Sequence, residues 1–142
     1  RPVLLVPNGI SADALAHIED GPALVAWNGS IEATRAVTAG LSLIKAMGKV
    51  RVLSIKEGKR DAHPATDLTH FLAWHGVSAS VGEAPIDATK ATAEHFLNAA
   101  REAKATLIVM GAYSHGRLRQ LVLGGVTSHM IDAADLPVLM AH

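Results

Sequence analysis

The sequence predicts an α/β fold: a doubly wound, open, parallel five-stranded sheet with helices on both faces, Rossmann-like in plan. Short apolar runs alternate with segments of helical spacing, and an alternation of strands with helices of this length requires crossover connections and therefore a parallel sheet. The runs are near-continuously apolar, as strands covered on both faces are. Right-handed crossovers then leave the doubly wound open sheet as the usual topology.

The elements follow in order. Leu24-Val25-Ala26-Trp27 is the first strand of the alternation. Ile31 to Met47 reads as one helix, with Val37, Leu41 and Ile44 at helical spacing, Ser30 as its N-cap and Gly48 as its stop. Val50 to Ile55 is the second strand. A helix over Thr66 to His75 turns Leu68 and Leu72 inward and ends at Gly76. Val77 to Val81 is a weaker third strand. A helix over Thr89 to Lys104 gathers Ala93, Phe96, Leu97 and Ala100 into one stripe. Thr106 to Met110 is the fourth strand, Val126 to Ala134 a helix with Met130, Ile131 and Ala134 inward, and Pro137 to Ala141 the last strand.

A chain of 142 residues with 49% hydrophobic residues suffices for one domain. Thirteen basic residues balance thirteen acidic ones, so no electrostatic footprint points to nucleic acid or an anionic membrane. Cysteine is absent, which removes disulfides and thiolate chemistry. No apolar run approaches the ~20 residues of a membrane-spanning helix. The chain starts at Arg1 without Met or a signal-peptide pattern, and the expectation is a soluble, cytoplasmic piece of a longer product. Pro2-Val3-Leu4-Leu5-Val6 repeats the pattern of Pro137-Val138-Leu139-Met140-Ala141. Either residues 1–20 hold the closing strand of a preceding repeat plus a linker, with the domain itself over residues 21–142, or X-Pro-Val-Leu merely opens an edge strand.

Ligands of open α/β sheets bind beyond the carboxyl ends of the strands, where the strand order reverses. Two turns of suitable composition leave such ends. One is Asn28-Gly29-Ser30; the other runs from Gly111 through Ser114 to Gly124-Gly125-Val126-Thr127. Glycines admit a ligand close to the backbone, and a helix N-terminus offers free N–H groups to an anion. The pattern fits a phosphate cradle and equally a tight turn into the helix. Neither the P-loop nor the GxGxxG fingerprint is present. The eight histidines lack metal-ligand spacing: His70 and His75 fall on different helix faces, and His95 and His129 read as surface residues. His115, Arg117 and Arg119 stand beside the glycine loop, where phosphate contact and plain solvation are both open.

The segment Val109-Met110-Gly111-Ala112-Tyr113-Ser114-His115-Gly116, continued by Leu123-Gly124-Gly125-Val126-Thr127, resembles the signature loop of the universal stress protein family. Leu24 to Ser30 resembles that family's first strand and turn, and Leu136 to His142 its closing strand. The likeness is nearest to the second half of tandem members. It implies a sheet order of 3-2-1-4-5 and ATP, with Mg²⁺, as ligand in a stress-response module. The nucleotide site it implies comprises Asn28, Gly29, Ser30, Ile55, Met110, Gly111, Ser114, Gly124, Gly125, Val126 and Thr127.

ATP-binding members carry G-x2-G-x9-G-[S/T] in this loop; here Ser114 replaces the second glycine, Gly125 the final hydroxyl residue, and Asn28 the usual Asp. A left-handed Ser114 costs roughly 1–2 kcal/mol, and the lost hydroxyl about 0.5–1.5 kcal/mol. With the lost charge at Asn28, these changes weaken ATP binding roughly ten- to several-hundred-fold. The resemblance also implies a homodimer through the closing edge strand, and here the strand that pairs with it is Pro2 to Val6 of the same chain or of a neighbour. The alternative function is a member that binds no nucleotide and serves assembly or partner binding. No positioned base, metal-carboxylate pair or catalytic lysine marks an enzyme, leaving at most slow ATP hydrolysis.

Overall fold

The computed structural model describes residues 1–55, 64–84, 89–112 and 125–142. Its strands are β1 (Val3–Leu5), β2 (Ala23–Trp27), β3 (Lys49–Ile55), β4 (Ser78–Ala84), β5 (Leu107–Gly111) and β6 (Val138–Ala141). The α-helices are α1 (Ala12–Ala16), α2 (Ile31–Ala39), α3 (Leu41–Met47), α4 (Ala65–Trp74), α5 (Thr89–Glu102) and α6 (Gly125–Ala133), with a 3₁₀ turn over Ile18–Asp20.

They form one sheet in the order β1-β6-β5-β2-β3-β4. From β2 to β6 every pairing is parallel, which reproduces the expected 3-2-1-4-5 arrangement. The sheet has six strands rather than five. The extra strand, β1, pairs antiparallel with β6 in the register Val3 to Met140, Leu4 to Leu139 and Leu5 to Val138. The closing strand is therefore covered on its outer side and is not an edge.

Alternate residues of each strand enter two separate cores, as the pleat requires. Ala23, Val25 and Trp27 pack with Val37, Ile44, Leu68 and Leu72 under α2, α3 and α4. Leu24, Ala26, Ile108 and Met110 pack with Phe96, Leu97, Ala100 and Met130 under α5 and α6. The expected α5 stripe is thus core: Ala93, Phe96, Leu97 and Ala100 are all buried.

Helix ends follow local chemistry. Gly48 caps α3 with φ +69°, and Gly76 follows α4 with φ +77°, conformations that a side chain resists. The helix expected over Ile31 to Met47 divides into two at Gly40, which ends α2 and precedes α3. A Cβ on Gly40 would stand 2.5 Å from Leu139 Cδ2, so the helix pair approaches the sheet closely where this residue has no side chain. On α6 the inward set is also corrected. Met130 is fully buried, but Ile131 is 49% exposed and Thr127 takes the buried position. At about 100° per residue, position 131 stands roughly 40° from 127 but on the side away from 130, so it falls at the rim of the buried face rather than at its centre. His95 and His129 are half-buried rather than surface residues, and His129 Nε2 lies 3.9 Å from Glu94 Oε1 on α5.

The stretch between β1 and β2 holds α1, capped by Ser11 Oγ accepting from the Ala14 N–H at 3.1 Å, and no residue of α1 is buried. Among the described residues, no helix is long and apolar enough to cross a membrane.

Candidate functional site

The chain runs from β2 outward to β3 and β4, then returns to β5 on the other side of β2. The two strands at which the winding reverses are therefore neighbours, with Ala26 opposite Met110. Their carboxyl ends emerge side by side, and the turn after β2 meets the end of β5 there.

The turn after β2 is built by its own side chains. Asn28 Oδ1 accepts from the Ser30 N–H at 3.1 Å, closing an Asx turn. Gly29 supplies the left-handed residue, with φ +69°. Ser30 is extended and its Oγ accepts from the Ala33 N–H at 3.1 Å, which caps α2. Ser30 O also accepts from the Thr34 N–H and hydroxyl, both at 3.0 Å. Asn28, Gly29 and Ser30 thus act as one unit that aims the α2 N-terminus.

Gly111, the last residue of β5, meets that N-terminus. A Cβ there would lie 2.7 Å from Ala33 N, 2.9 Å from Glu32 Cβ and 3.0 Å from Glu32 C. Only glycine lets the first turn of α2 rest on the end of β5. The start of the following loop is tied down as well: the Ala112 N–H donates to Ala141 O at 2.9 Å, and His142 Nδ1 donates to Ala112 O at 3.1 Å. His142 was not among the expected site residues, because its partner lies 30 positions away and no local motif announces it.

Met110 is 5% exposed and belongs to the α5/α6 core, with Val126 packed against the same cluster. Gly125 and Val126 are half-buried at the start of α6, and Thr127 is buried. A crossover helix between parallel strands starts at their carboxyl ends, so the first turn of α6 lies at the same end of the sheet as Gly111, on the face opposite α2. Ile55 ends β3, two strands from β5. Ser114 and Gly124 lie outside the described residues, as do His115, Arg117, Arg119 and the side chain of Ile55.

One acidic group stands in this place. Glu32 is half-buried in the first turn of α2, against Gly111. Its charge suits the helix dipole and offsets the positive potential that the N-terminus would otherwise present to an anion. Among the described residues, no three His, Asp or Glu side chains cluster closely enough to hold a metal ion.

Comparison with known proteins agrees with this architecture. Residues 82–142 match the model of the universal stress protein family. The chain is similar to the solved structure of a universal stress protein from Archaeoglobus fulgidus DSM 4304, with TM-score 0.71 and 19% identity over 97% of this chain and 48% of that one. It therefore spans about half the length of that relative. Another universal stress protein from Archaeoglobus fulgidus gives TM-score 0.57 at 19% identity, over 83% of this chain and 90% of that one. The universal stress protein UspA from Lactobacillus plantarum gives 0.61 at 17% identity, over 83% of this chain and 94% of that one. These likenesses establish the fold. No curated protein matches the chain in sequence.

The contact at Gly111 has a direct test. In Gly111→Ala the new methyl has backbone on its far side, so the α2 turn must move. The expected loss is about 1–3 kcal/mol in chemical denaturation, with the amide resonances of Glu32 and Ala33 displaced. An alanine variant of unchanged stability and spectrum contradicts the convergence of the two turns.

Proposed function

We propose that this chain is a universal stress protein domain that binds an adenine nucleotide, ATP with Mg²⁺, where the turns after β2 and β5 meet, and acts as a regulatory stress-response module rather than an enzyme. The observation that carries this reading is the contact of Gly111 with the first turn of α2. It brings a capped helix N-terminus and the mouth of the signature loop to one point at the switch of the sheet. The family match over residues 82–142, which includes that loop, supports it.

The same geometry argues for weak binding. The side-chain Oδ1 of Asn28 is engaged by the Ser30 N–H, and as an amide oxygen it brings no charge to a ribose or adenine donor. Glu32 adds a negative charge beside the place a phosphate would occupy. Calorimetry with ATP and Mg²⁺ is expected to give a dissociation constant no tighter than tens of micromolar, an order-of-magnitude figure. Glu32→Gln is expected to tighten it by about two- to fivefold, the scale of one charge at a helix N-terminus. Saturation at nanomolar ATP, or weaker binding by the glutamine variant, counts against this account.

Assembly in this reading uses the β6 side of the sheet. β6 is apolar along its length, and β1 lies over its outer edge with Val3 52% and Leu4 45% exposed, followed by Val6 at 43%. A homodimer then forms through this side, with β1 either joining two sheets or yielding its place to a neighbour's strand. Removal of residues 1–20 bares Val138 to Ala141. Sedimentation velocity is expected to show a changed oligomer size, and denaturation a lower stability. A truncated chain identical to the parent in both measurements refutes the role.

A further inference from the structure

At the opposite border of the sheet, β4 has β3 as its only strand neighbour among the described residues, so a seven-residue strand presents an open row of backbone donors and acceptors. The side chains beside it alternate sharply in character. On the α5 side, register sets Lys49 opposite Ser78 and Arg51 opposite Ser80. These four line a groove of about 490 Å³ whose far wall is α5, through Ala99 and Glu102. Arg51 Nη1 reaches Ser80 Oγ at 3.4 Å, and Gly82 makes room for the guanidinium, since a Cβ there would lie 2.8 Å from Arg51 Nη2. Neither Lys49 nor Arg51 has an ion-pair partner among the described residues, and the groove holds two cations against the single carboxylate of Glu102.

On the α4 side the border is apolar at Ala79 and Val81, and the exposed Glu83 follows on the same face. Val81 is 44% exposed, and α4, which covers that face, exposes Phe71 and leaves Trp74 92% exposed. We propose that the open edge of β4 takes an extended acidic peptide segment as an added strand, its acidic residues turned to Lys49 and Arg51 and its alternate apolar residues turned to Val81. Successive side chains of an added strand point to opposite faces, so one segment of alternating acidic and apolar residues satisfies both sides. A second copy of this chain is the poorer occupant. Antiparallel pairing of β4 with its own copy about an axis normal to the sheet sets both cation pairs on one face, where they repel.

The test uses the whole isotope-labelled chain and two blocked eight-residue peptides, one alternating glutamate with valine and one alternating lysine with valine. The glutamate peptide is expected to shift the amide resonances of residues 78–83 and to slow their hydrogen exchange. The combined variant Lys49→Gln with Arg51→Gln is expected to bind it roughly three- to tenfold more weakly, and added salt to weaken it further. Lys49→Gln alone, a change at one exposed position, is expected to show part of that loss. Equal binding of the lysine peptide, shifts confined to other strands, or protection of these amides by self-association without peptide overturns the proposal.

Discussion

The adjacency of β2 and β5 is the constraint from which the rest of the molecule follows. Because the chain winds outward through β3 and β4 and returns past its starting strand, two carboxyl ends are left side by side, with Ala26 opposite Met110. Everything above that line must fit into a few ångströms. The first turn of α2 can settle there only because Gly111 has no side chain. Asn28, Gly29 and Ser30 then hold the turn at the angle that brings the helix in, through two side-chain hydrogen bonds and one left-handed residue.

That solution has an electrostatic side. A helix N-terminus buried against a strand end needs its N–H groups satisfied, and Ser30 satisfies one. Glu32 compensates the dipole from within the same turn. Both devices stabilise the chain without any ligand, and both compete with an anion for the same N–H groups and potential. A domain arranged in this way binds nucleotide only with whatever free energy exceeds what its own side chains already supply. In the proposed reading, the segment that resembles the family's signature loop departs in the same direction, with Ser114 and Gly125 where ATP-binding members carry glycine and a hydroxyl residue.

Most of the fold was legible because it depends on local signals. The strands are near-continuous apolar runs, and their order follows from crossover handedness once the alternation with helices is recognised. The glycine stops at Gly48 and Gly76 are equally local. What escaped depends on contacts across the chain. The break at Gly40 reflects the proximity of Leu139, nearly a hundred residues away, and no helical periodicity reports it. Ile131 was assigned inward by hydrophobicity alone, whereas packing on α5 chose the face of Thr127 and Met130. The pairing of β1 with β6 within one chain was one of the two expected for the closing strand, although the strand count of five omitted it. Of the candidate site, the Ser30 cap and the convergence of Gly111 with the turn after β2 could be read from the sequence, whereas the close approach of Gly111 to Ala33 could not. Glu32 and His142 could not, since each matters through a neighbour on another element.

The central claim is that a nucleotide is received where these two turns meet, and mapping of backbone amide resonances during titration with ATP and Mg²⁺ tests it most directly. Residues 28–33, 111–112 and 125–127 are expected to move together in one saturable process. Displacements confined to the opposite ends of the strands, around Lys49 and Ser78, or an unchanged spectrum at millimolar nucleotide, would contradict it.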